Sequence, residues 1–326
     1  MTISLEDELP VARLPEDPRW RENFCFDGYD RRRDVGFWIH CGRWSLDPSI
    51  WREQVLVDWP GGDSFVIRSW GFRPSARGPS GALLDLVCEE PGRRWRLRYH
   101  GPTRRVTREE LLRGVPLAEG PKQLMHLDIE FTSENPVWNM AHGTDMSSQA
   151  WARFHIEQNG RFRGTIAVDG ETAHMDGFGW RDHSRGPRDV QDMGRHAWIH
   201  GDLPGGRSFA MTIYQARDGA GFRNRLDEVV VFDGGRIYPA RCPRPPLLDS
   251  AAPPPPGYEF AIEYELGRFE VQAEARRCLP HSTTRYMECF DGVCPGLAQV
   301  VTYEQGTVFR VDGGEYDGHT ERSYFL

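Results

Sequence analysis

Little in this sequence points to a membrane, a nucleic acid or a disulfide scaffold. No run approaches the roughly 18 consecutive apolar residues of a membrane-spanning helix. The opening "MTISLEDELP" is acidic and has no apolar stretch of the kind a secretory signal needs. Lysine and arginine number 40 against 48 acids, for a net charge of −8. That is the wrong sign for a nucleic-acid binder, whose contact surface is basic. The arginines at 31–33 sit among Asp27, Asp30 and Asp34 and read as a solvated face. The seven cysteines are odd in number and none forms a C-x-x-C. A disulfide framework or zinc ribbon is therefore not expected, and a reduced cytoplasm is. No G-x-G-x-x-G, P-loop or nucleophile elbow stands between a strand and a helix. Helical periodicity is confined to "TREELLRGV", with Thr107 as N-cap, Glu110 three residues on and Gly114 as the stop.

Short alternating runs fill the remainder. In "QLMHLDIEFTS", Met125, Leu127, Ile129 and Phe131 share one face. "RGTIAVDGE", "FAMTIYQA", "EFAIEYELG", "RFEVQAEAR" and "TVFRVDGG" read alike, and Asp169-Gly170, Asp233-Gly234 and Asp312-Gly313 are hairpin-turn dipeptides. The expectation is an all-β protein with little helix, built of two antiparallel β-barrel or sandwich domains over 1–145 and 146–326. The break falls in "SENPVWNMAHGTDMSSQA", which lacks alternation. Pro243 to Gly257 reads as a long loop inside the second domain, and no internal repeat stands out.

Ionisable residues concentrate in "GFGWRDHSRGPRD", Gly177 to Asp189. On an extended segment Trp180 and Asp182 share one face and Arg181 and His183 the other. An aspartate beside an aromatic wall holds its proton more tightly, as a general acid must. A neighbouring histidine can relay that proton. The alternative is an Arg–Asp network that pins a loop. In "ARFHIEQNGRFRG", His155 and Glu157 share a face as an acid–base pair, as metal ligands with His183, or as a structural pair. Trp38, His40 and Trp44 fall on one strand face, as do His196, Trp198 and His200. Such walls suit an apolar ligand or simply pack. A compact H-x-H followed by Glu is missing, so no metal is expected.

The segment "HIEQNGRFRGTIAVDGETAHMDGFGWRDHSRGPRD" resembles the carotenoid 1,2-hydratase/AttH-like superfamily. The shared features are H-x-E-Q-x-G-R-x-x-G, the V-D-G turn and G-x-R-D-H-S-x-G-x-R-D. Weaker matches lie at "HLDIEFTSENPVW" and "RWRENFCFDGYD". The resemblance implies two lipocalin-like β domains packed side by side, related to hydratases and lipocalin-like cyclases. Asp182 and His183 match the first two positions of a D-H-x-W-like element, and Arg185 stands where the tryptophan would be. Arginine there suits a carboxylate, carbonyl or phosphate.

Together these readings lead to a cofactor-independent acid–base enzyme on an apolar isoprenoid-, steroid- or polyketide-like molecule. The reaction is hydration or dehydration of an alkene, or a related isomerisation or cyclisation. The expected catalytic set is Asp182, His183, His155 and Glu157. Trp38, His40, Trp44, Trp180, Arg185 and Trp198 are expected to hold substrate. The competing expectation is a non-catalytic carrier of a lipid or steroid.

Overall fold

The computed structural model describes residues 4–44, 47–72, 77–116, 119–140, 154–187, 193–218, 221–246, 253–284, 290–293 and 298–326. Strand accounts for 70% and helix for 5%, so the protein is all-β. The chain divides into two compact units. One comprises Met1–Pro60, Phe65–Arg105 and Gly120–Val190; the other comprises Gly61–Ser64, Val106–Glu119 and Gln191–Leu326. The division after residue 190 differs from the expected 145/146. Residues 141–153, where the break was expected, lie outside the described residues. The strands that follow them pair back onto the first unit.

The first unit contains β1 (Trp20–Asp30), β2 (Val35–Arg43), β3 (Trp51–Asp58), β4 (Ser64–Gly71), β5 (Leu84–Glu90) and β6 (Arg94–Val106). A two-residue strand, β7 (Val115–Pro116), belongs to the second unit. After it come β8 (Lys122–Thr132), β9 (Trp138–Asn139), β10 (Phe154–Val168) and β11 (Glu171–Pro187). The sheet runs β11-β1-β2-β3-β4-β6-β8-β10, and β10 pairs with β11 to close an eight-strand ring. The expected alternation of β8 holds: Met125, Leu127, Ile129 and Phe131 are buried, with Phe24, Phe26, Phe162 and Met175 in the same core. Gly179 is required by that core, because a Cβ there would sit 1.7 Å from the Phe162 ring.

The second unit contains β12 (Met193–Leu203), β13 (Arg207–Asp218), β14 (Gly221–Asp233), β15 (Arg236–Arg244), β16 (Gly257–Tyr264) and β17 (Gly267–Ala275). β18 (Leu279–Thr284), β19 (Phe290–Asp291), β20 (Ala298–Val311) and β21 (Gly314–Phe325) complete it. Here the order is β17-β16-β15-β14-β13-β12-β21-β20, and Gln272 opposite Arg310 joins β17 to β20 and closes a second ring. Its core holds Ile199, Phe209, Met211, Phe260 and Phe309.

The turns behave as their residues dictate. Asp169 and Asp312 take φ of 49° and 50°, each followed by a left-handed glycine, which matches the twist of the flanking strands. At the third hairpin the left-handed pair is Gly234-Gly235 rather than Asp233-Gly234. Two helices are short. α1 (Leu5–Glu8), which the sequence did not suggest, is capped by Ser4; α2 (Arg108–Arg113) has the expected Thr107–Glu110 capping box. The proline-rich stretch links β15 to β16 within the second unit, and residues 247–252 of it are outside the described set.

Candidate active site

β10 and β11 face each other with Glu157 opposite Asp182, His155 opposite Ser184 and Ile156 opposite His183. Because side chains alternate, one face of this hairpin turns to the core and the other turns away. Phe162 and Met175 fix which face is which. His155, Glu157, Trp180 and Asp182 lie on the side away from the core, yet all four are buried.

On that wall His155 is the hub. Its Nε2 lies 3.2 Å from Glu157 Oε1 and in direct contact with Asp182 Oδ2. Glu157 Oε2 accepts a bond from Trp180 Nε1 at 3.0 Å, and Asp182 Oδ1 accepts one from Ser184 Oγ at 3.3 Å. Burial alone would lower the His155 pKa. The Asp182 and Glu157 carboxylates outweigh burial and raise it to about 9. At neutral pH the three groups thus form an imidazolium held between two carboxylates. Nδ1 of this ring is buried and has no hydrogen-bond partner among the described residues.

His155, Glu157 and Asp182 also offer three ligand atoms within 4.8 Å of one another, the requirement for a cation site. A cation there would have to displace the proton from Nε2.

His183 is elsewhere. It points to the core side and is fully buried. It stacks on Phe24 at 3.9 Å, bonds the Asp7 carbonyl at 2.9 Å and approaches Glu22 Oε1 at 3.2 Å. His183 and Arg43 hold the Glu22 carboxyl below its ordinary pKa, against the effect of burial. Beside it, the Arg181 guanidinium makes two 2.8 Å bonds to Glu8 and a third to Gln158. Adjacency in sequence put Asp182 and His183 on opposite faces, so the acid–relay pair expected from them does not form. The charge of "RDHS" is therefore split, half in the wall cluster and half in the network that pins the N-terminal segment.

The expected substrate residues are scattered. Trp180 is fully buried and positions Glu157. Trp38 and His40 lie on the same side of the ring wall as Asp182, stacked at 5.6 Å, with Trp38 opposite Asp27 and His40 opposite Cys25. Trp44 falls just past the end of β2, and Arg185 lies over Phe154 at 4.1 Å near Asp7. Neither is among the groups that contact His155. Trp198 belongs to the second unit, edge-on to His200 at 4.5 Å.

The second unit carries a cluster that sequence reasoning missed. Glu304 accepts from His281 at 2.9 Å and His319 at 2.8 Å; Glu321 takes His196 at 3.2 Å and Ser323 at 2.8 Å. The available signal was the dipeptide Glu-Gln: of its three occurrences, those at 157–158 and 304–305 are each followed by an Asp-Gly hairpin turn. In both hairpins the glutamate faces a second acid, Asp182 or Glu321.

Two closed eight-strand antiparallel rings, each bearing a buried His–carboxylate cluster on its wall, define the fold. Residues 4–241 match the family described as "Domain of unknown function (DUF7064)", and the chain belongs to it. No curated protein matches it in sequence. Three similar crystal structures share the fold. An AttH-like protein (NE1406) from Nitrosomonas europaea has 14% identity and a TM-score of 0.57, over 98% of this chain and 99% of that one. CghA with Sch210972 has 10% identity and a TM-score of 0.59, over 95% and 89%. Kievitone hydratase from Nectria haematococca has 9% identity and a TM-score of 0.51, over 94% and 88%. No helix among the described residues is long and apolar enough to cross a membrane.

Proposed function

We propose that the protein is an acid–base enzyme that adds or removes water at, or isomerises, a double bond conjugated to a carbonyl on an apolar skeleton. The observation that carries this reading is the His155 imidazolium between Asp182 and Glu157. An acid of pKa about 9 is too weak to protonate an isolated alkene. It is matched to oxygen leaving groups and enolates, where proton affinities are comparable. In dehydration, the Asp182 carboxylate takes the proton α to the carbonyl, and His155 Nδ1–H protonates the departing β-hydroxyl. The products are an enone and water, and the pair still holds one transferable proton. Hydration runs the same steps backwards, with Asp182 as the donor. Glu157 holds His155 charged, and Trp180 fixes Glu157. Trp38 and His40 extend this buried wall as the surface for an isoprenoid, steroid or polyketide skeleton. Five of the seven cysteines lie among the described residues, and all five are free thiols.

The test is mass-spectrometric deuterium incorporation from D₂O into a panel of steroid and polyketide enones. Asp182→Asn and His155→Gln should each lower exchange per folded molecule by about 10²-fold or more, beyond the loss of melting temperature that breaking the buried ion pair brings. Exchange lost on dialysis against a chelator and restored by a metal ion would replace the proton by a cation. Exchange at the wild-type rate in both variants would end the reading.

A further inference from the structure

The interior of the second ring holds a guanidinium that bonds Tyr258 but meets no carboxylate among the described residues. Arg322 on β21 is 2% exposed, and its guanidinium lies over the Tyr258 ring at 4.4 Å. Nε and Nη2 have no hydrogen-bond partner among the described residues. Gln305, opposite Thr320 on the paired strand and also 2% exposed, has its Oε1 without a partner. Around them are hydroxyls already bonded to one another: Thr320 Oγ1 is 3.0 Å from Thr307 Oγ1 and 2.5 Å from Tyr258 Oη. Leaving a buried guanidinium unpaired is costly, because the low-dielectric interior replaces none of the lost hydration. An apolar residue of similar volume would fill the space without that cost.

The first ring shows the complement. There the glutamine of the Glu-Gln pair, Gln158, sits beside Arg181, and the Glu8 carboxylate engages that guanidinium with two bonds. The chain itself delivers the carboxylate. In the second ring no described segment does so. The two open donors of Arg322, Nε and one Nη, form the side-on edge that grips both oxygens of a carboxylate. Ile199, opposite Thr320, and Phe260, stacked on Tyr258, offer apolar surface beside it.

We propose that the interior of the second ring binds a carboxylate-bearing amphiphile, its headgroup seated on the open Nε and Nη2 donors of Arg322. This site is separate from the His155 cluster and does not depend on the acid–base reading.

Calorimetry on the full chain with dodecanoate, dodecan-1-ol and sodium sulfate separates the contributions. Dodecanoate should bind saturably, the alcohol at least tenfold more weakly, and sulfate not at all. Arg322→Leu should weaken dodecanoate at least tenfold while the melting temperature of the free protein holds or rises, since an uncompensated charge is gone. Arg322→Lys should weaken dodecanoate several-fold, because an ammonium cannot grip both oxygens side-on, and serves as the test if Arg322→Leu does not fold. Asp182→Asn should leave dodecanoate affinity unchanged. Equal affinity for acid and alcohol, binding of sulfate alone, or dodecanoate affinity unaltered by either variant would overturn the proposal.

Discussion

The two rings put an arginine and a glutamine into their interiors and then treat them differently. In the first, Arg181, Gln158, His183 and Glu22 are each bonded, and residues 7 and 8 reach in to satisfy Arg181 and His183. In the second, Arg322 and Gln305 keep open polar atoms. Their outward walls differ as well. On the first a histidine sits between two acids, and on the second each acid is held by histidines. One scaffold thus gives an interior whose guanidinium is met by a carboxylate, with a proton-holding wall, and beside it in sequence an interior whose guanidinium keeps two open donors. Whether the chain supplies a carboxylate for its buried guanidinium, rather than strand order, is what separates the two rings.

The largest expected effect tests the Glu8–Arg181 pair of the first interior. Glu8→Ala leaves the Arg181 guanidinium buried and unpaired and should cost about 3–5 kcal/mol in urea denaturation. Arg322→Leu should cost nothing, and equal losses at both positions would erase the contrast. Next come the walls, whose pH responses have opposite signs. His155 titrates at about 9 when folded against 6.5 when exposed. Its stabilisation is full below pH 6.5 and is lost as pH rises through 9, at most about 3 kcal/mol. Glu321 is lowered from 4.5 to about 2, its bonds with His196 and Ser323 outweighing burial. Its stabilisation is present above pH 4.5 and fades as pH falls through 2. Melting temperature against pH should lose its alkaline limb in His155→Gln and its acid limb in Glu321→Gln; swapped limbs would reverse the assignment. The smallest effect lies at the turns. Asp312→Gly should stabilise by about 0.5–1 kcal/mol, because a left-handed position prefers glycine. Asp169→Gly should gain less, since Asp169 also accepts a bond from the Leu124 amide at 3.0 Å.

Strand alternation, the Thr107 cap and two of the three Asp-Gly turns were legible because each is written in neighbouring residues. So was the shared face of His155 and Glu157, and the separation of Asp182 from His183. What sequence could not supply was the pairing of distant strands. Only the register of β10 against β11 joins His155 to Asp182, and only α1 explains Arg181. The units divide after residue 190 rather than 145 for the same reason: "HIEQNG" pairs with β9 and β11, and the remainder of β10 pairs with β8. The repeat between rings escaped notice because little beyond Glu-Gln and Asp-Gly survives in both.

The closure of the first ring has a consequence for synthesis. Trp20–Asp30 finds its second partner only in β11, the last strand of the unit, and Glu8 meets Arg181 across 173 positions of chain. At about 5–20 residues per second, the ribosome needs roughly 10–30 s to make what lies between. For that interval one edge of β1 stands unpaired, open to the edges of other nascent chains. Translation that slows before residue 187 should therefore raise the aggregated fraction, whereas a pause placed after it should not.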